Sequence, residues 1–168
     1  MEIAELMDAA RRRLGDAPHE RLGLLVQPRR ILGVARAPRI VPHGSVWHLG
    51  VLLLGDGATA DDSGVFATGR IVRAHEEVRR GFTAESQRER AALEAAARRG
   101  GFAEGKVVHL DWQPIDLKAL ARGEASGPLA IIAGTPSIRW SRTAGYGPLE
   151  PYLDEHIELL RHPPAGAT

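Results

Sequence analysis

The chain has no cysteine, which excludes disulfides, thiolate nucleophiles and cysteine-ligated zinc. Asparagine is also absent, and 2 lysines stand against 20 arginines. With many Ala, Gly and Pro residues, this composition reads as the imprint of a GC-rich genome, so arginine clusters carry little functional weight by themselves. No stretch approaches the roughly 18 apolar residues of a membrane-spanning helix. The opening MEIAELMDAARRRLG is acidic before it is basic and has no hydrophobic signal core. A cytoplasmic protein is therefore expected, with no membrane partner. The net charge of +1 gives no global pull toward nucleic acid or anionic lipid.

Metal motifs are missing as well. His43 and His48 are five apart across a glycine turn, a spacing no common metal motif uses. The loop Gly55–Gly64 holds Asp56, Asp61 and Asp62 without the alternation of a calcium loop. Gly100–Lys106 has the G-x-x-x-x-G-K skeleton of a phosphate loop, but Val107 stands where Ser or Thr belongs, and the segment runs from helix to strand, the reverse of the required order. No metal and no cofactor is expected.

A length of 168 residues suits one domain, here expected over 1–164 with a disordered tail at 165–168. Its centre is Ser45–Ala74. Two apolar runs, Ser45–Leu54 and Val65–Ala74, flank a polar glycine-containing loop and read as a β-hairpin. Strand alternation puts Trp47, Leu49, Val51 and Leu53 on one apolar face. Leu52 and Leu54 fall on the other, which argues for a homodimer covering that second face. Gly50 and Gly69 inside the strands suggest curvature. Helical spacing marks Glu2–Leu14, a stretch from Thr83 or Ser86 to Arg99, Asp116–Arg122 and Glu150–His162. Ser86-x-x-Glu89 has capping-box spacing. Short strands are expected at Leu22–Gln27, Ile31–Ala35, Lys106–Trp112, Leu129–Ala133 and Ser137–Ser141. The fold class is α+β: a mostly antiparallel, strongly curved sheet or partly open barrel with flanking helices.

Two groups of residues carry chemistry. His109 and Asp111 share a strand face about 6.7 Å apart, so the carboxylate can orient the imidazole as a base. Arg139–Glu150, RWSRTAGYGPLE, runs from a strand through a glycine loop to a helix N-terminus. A small-ligand site is expected from His48, Arg70, Trp140, Arg142 and Tyr146, with cationic, aromatic and hydrogen-bonding groups suited to a flat-ringed anion. Nucleic-acid binding through Arg29, Arg30, Arg36, Arg39, Arg70, Arg73 and Trp140 is disfavoured by the near-neutral charge.

The segments PRIVPHGSVWHLGVLLL, FATGRIVRAHEEVRRGF and RGGFAEGKVVHLDWQPIDL, with the helix Ser86–Arg99, resemble a group of small actinobacterial proteins, some labelled glutaminase. The resemblance covers roughly residues 20–120 and implies amide hydrolysis as one activity. No serine has Lys three positions on and there is no cysteine, so neither the Ser-x-x-Lys nor the cysteine type of glutaminase site exists here. The leading expectation is a module that binds a small ligand or a protein partner, with a small amide hydrolase as the alternative.

Overall fold

The computed structural model describes residues 2–27, 33, 36–57, 63–77 and 84–164. All but Gly33 of the expected strand Ile31–Ala35, the residues Arg29, Arg30, Asp61, Asp62 and Thr83, and the tail 165–168 lie outside them. In chain order the elements are α1 (Ile3–Leu14), β1 (Glu20–Val26), β2 (Arg39–Leu49), β3 (Leu52–Gly55), β4 (Val65–Ala67), β5 (Arg70–Arg73), α2 (Glu85–Arg99), β6 (Val107–Leu110), β7 (Gln113–Pro114), α3 (Leu117–Ala121), β8 (Leu129–Ile132), β9 (Thr135–Ile138), β10 (Gly147–Pro148) and α4 (Leu149–Arg161). The fold is α+β. The hydrogen-bonded strand order is β5-β6-β1-β2-β3-β4-β7, with β10-β9-β8 as a second sheet. Pairing is mostly antiparallel; β1 and β6 run parallel. None of the helices among the described residues is long and apolar enough to cross a membrane.

The chain divides into two compact units that interleave in sequence. The first comprises Met1–His19, Val46–Thr68 and Gln113–Thr168, and the second Glu20–Ser45 and Gly69–Trp112.

In the first unit, α1 buries Ile3, Leu6, Met7, Ala10 and Leu14, the stripe its 3.6-residue period places on one side. Glu2 and Glu5 form a reciprocal capping box at its start. At its other end Arg11 does more than favour the helix dipole. Its Nε donates to Gly55 O at 2.9 Å and its Nη2 to Ser63 O at 2.6 Å, which ties down both ends of the β3–β4 connection. The central hairpin differs from its expected form. β2 and β3 are separate strands joined by the two-residue turn Gly50–Val51, with Leu49 paired to Leu52 and Trp47 to Leu54. Residues directly opposite across a ladder share a face. Leu52 and Leu54 therefore join Trp47 and Leu49 in the core formed with α1 and α4 instead of standing on a second face. Each is about 1% exposed, which removes the reason given for a homodimer. Val51, expected in the core, sits in the turn and is half-buried. Trp47 is fixed by its indole N–H donating to Ala17 O at 3.0 Å.

The expected strand Val65–Ala74 breaks at Thr68–Gly69. Its first part, β4, pairs with β3 and β7, and its second, β5, pairs with β6. The β8–β9 hairpin turns on Ala133 (φ +48°) and Gly134 (φ +78°), with Ile132 paired to Thr135. Two left-handed residues make the turn type that favours Asn-Gly, and alanine is strained there. Ala133→Asn is expected to raise stability by about 1 kcal/mol. A urea midpoint at or below the wild-type value would contradict that.

In the second unit, α2 packs Ala96 and Ala97 with Ile40, Val72, Phe102, Val108 and Leu110. The helix starts at Glu85 with Ala84 as its N-cap, so the expected Ser86–Glu89 capping box does not form; Glu89 accepts from Arg70 instead. Pro42, expected to precede the strand, lies inside β2, beyond the stretch Val46–Leu49 that pairs with β3. No β3 donor partner is lost there.

Candidate functional site

The first unit carries a cleft of about 510 Å³. Its walls are the β2–β3 turn (Gly50, Val51), Trp140 of the loop after β9, β10 (Gly147, Pro148) and the first turns of α4 (Pro151, Tyr152, Glu155, His156). Each wall follows from local sequence. Gly50 has φ +63°, so the chain reverses in two residues. The Tyr152 hydroxyl then serves the turn twice, donating to Leu49 O and accepting from Val51 N–H, both at 2.8 Å. Pro148 caps α4 and Pro151 occupies its first turn, where a missing N–H costs nothing. Tyr152 and His156 are i and i+4 on the helix, and their rings stack with centroids 4.0 Å apart. His156 Nδ1 lies 2.9 Å from Tyr152 O. A carbonyl only accepts, so Nδ1 holds the proton and Nε2 is the acceptor of the neutral ring.

Trp140 is 51% exposed, unusual for so large an apolar ring. It packs on Gly147, where a Cβ would lie 2.6 Å from the indole ring. The Arg139 N–H, bonded to Pro128 O at 2.9 Å, anchors the start of this loop. Among the described residues that line the cleft, Glu155 is the single formally charged one.

Burial pushes the Tyr152 phenol above its ordinary pKa of 10.0, opposed by the Val51 N–H bond and reinforced by the nearby Glu155 charge. A raised folded pKa means the folded state keeps its proton longer than the unfolded chain. The contribution is present below pH 10 and is lost as pH rises through the folded value. Tyr152→Phe is expected to flatten that alkaline loss of stability while costing about 1–3 kcal/mol at neutral pH, because Leu49 O and Val51 N–H lose their partner. An alkaline melting curve parallel to wild type would contradict the assignment.

A second polar feature lies in the second unit. The parallel β1–β6 register sets Leu22 opposite His109 and brings Glu20, at the start of β1, to the imidazole. His109 is fully buried, and its Nε2 bonds the Glu20 carboxylate. The expected His109–Asp111 pairing gives way to this one. Asp111 has φ +54°, which ends the strand alternation, and its carboxylate accepts from Arg70 Nε. Asp116, the N-cap of α3, is held below the usual carboxylate range by the N–H groups of Ala119 and Lys118.

The five sequence-predicted site residues are distributed as follows. Trp140 lines the cleft. Tyr146 is exposed on the same loop, with the Arg139 guanidinium 5.4 Å from its ring centre. Arg142 is exposed on that loop and is not among the lining residues. His48, in β2, has Nε2 2.9 Å from Gly50 O. Arg70 belongs to the second unit and is engaged by Asp111 and Glu89, which raise its pKa. Gly50, Tyr152, Glu155 and His156 were not anticipated as site residues. The i, i+4 aromatic spacing of Tyr152 and His156 was the available signal.

Comparison with protein-family models, with curated proteins and with solved structures gives no match.

Proposed function

We propose that this protein is a small-ligand binding module whose ligand lies in the cleft of the first unit, against Trp140. The observation that carries this reading is Trp140 itself: a half-exposed indole, braced on Gly147, forming one wall of a 510 Å³ cleft. That volume is within the range of small-molecule sites, and the lining combines rings with a few polar groups. Tyr152, held by its two hydrogen bonds, pre-forms another part of the lining, so little ordering cost falls on binding.

The expected anionic ligand rested on Arg70 and Arg142, and neither lines this cleft. The alternative of amide hydrolysis, implied by the resemblance, has the His109–Glu20 pair in its favour. A general base must come within hydrogen-bond reach of a substrate proton, however, and the His109 ring is fully buried. Ligand binding is therefore the better-supported reading.

A thermal-shift screen of metabolites on wild type and Trp140→Ala checks it. At least one compound is expected to raise the wild-type melting temperature, by about 2.7 kcal/mol of added stability at one hundred times its Kd. The variant is expected to lose that response. Equal shifts in both proteins would place the ligand elsewhere.

A further inference from the structure

We infer that the ligand of this cleft is a flat organic cation of amidinium or guanidinium type; this rests on the cleft being the binding site. Three observations converge on that class. Among the described residues, the charge lining the cleft is one carboxylate, Glu155, with no Arg or Lys to offset it. The second polar group, His156, has Nδ1–H committed to Tyr152 O, so its neutral ring offers Nε2 as an acceptor. That nitrogen lies beside Gly50, 2.6 Å from where a Cβ would stand, on the turn that forms one wall. The third is Trp140, whose indole is the best aromatic partner for a cation.

Two acceptors and a π face complement a planar group with several N–H donors and a delocalised positive charge. An amidinium presents a pair of N–H groups to a carboxylate in fork geometry and lays its flat face on an indole. A carboxylate or phosphate ligand would meet Glu155 with no lining cation among the described residues. A purely apolar ring would make no polar contact with the Glu155 carboxylate or with His156 Nε2.

Three probes of nearly equal shape separate these cases at pH 7: benzamidine (cation), benzamide (neutral) and benzoate (anion). The readout is the indole N–H resonance of Trp140, assigned by its loss in Trp140→Phe. Benzamidine is expected to move it at roughly tenfold lower concentration than benzamide, and benzoate to be weakest. Glu155 is exposed, so Glu155→Gln keeps the fold, and it is expected to bring benzamidine down to the level of benzamide. Benzamide or benzoate matching benzamidine in wild type would overturn the charge assignment and leave the cleft as a site. A preference for benzamidine that survives Glu155→Gln would overturn it too. If no probe moves the Trp140 resonance, the inference fails, and the metabolite screen on Trp140→Ala judges the cleft separately.

Discussion

Alanine at position 100 is expected to cost about 3 kcal/mol or more, enough to leave the protein largely unfolded at modest urea. Gly100 ends α2, with its N–H bonded to Ala96 O and Ala97 O, and its φ of −80° suits any residue. Space is the obstacle. A Cβ there would sit 1.5 Å from Ile40 O and 2.4 Å from Ile40 C, the backbone of β2. Backbone cannot swing aside as a side-chain tip can, so α2 must lift from the cluster of Ile40, Val72 and Phe102. Gly101→Ala is the control. Its φ of +104° strains alanine, but nothing among the described residues lies within 4 Å, so it should lose only about 1–2 kcal/mol. Urea denaturation ranks the two, and equal midpoints would refute the close approach of α2 to β2.

Gly50→Ala is expected to lose about 3–4 kcal/mol and the shape of the cleft together. Left-handed backbone strains alanine by roughly 1–2 kcal/mol. A Cβ would also stand 2.2 Å from the Tyr152 hydroxyl and 2.6 Å from His156 Nε2. Tyr152 must withdraw, leaving Leu49 O and Val51 N–H unpaired at about 1–3 kcal/mol. The comparison with Tyr152→Phe separates the contributions, since that variant loses the hydrogen bonds without the strain. Gly50→Ala melting above Tyr152→Phe would contradict the geometry of the turn.

Helices were legible because their signals are local. The apolar stripe of α1, the Gly15 stop and the Asp116 cap of α3 each act within one turn, and all three are present. The sheet was legible as strands but not as connections. LGVLLLG reads as one apolar run, and Gly50–Val51 lacks the Asn-Gly signal of a two-residue turn. The chain reverses there because Tyr152, 101 residues beyond Val51, satisfies the turn. No sequence pattern announces a partner that distant. The same holds for Glu20 and His109, 89 residues apart and joined by a parallel register. Strand alternation nominated Asp111 for that role, and a single positive φ redirected it to Arg70. Within the candidate site, Trp140 was found because it stands in a glycine-rich loop. Tyr152, Glu155 and His156 were passed over because α4 was read by its apolar face, Leu153, Ile157 and Leu160.

We propose that this protein meets its ligand in the cleft beside Trp140. Backbone amide resonances followed while a stabilising metabolite is titrated test it most directly. The largest shifts are expected to cluster at Gly50, Val51, Trp140, Gly147 and residues 152–156, and to saturate together with the melting shift. Shifts centred instead on Glu20 and His109, with the residues of the cleft unmoved, would contradict it.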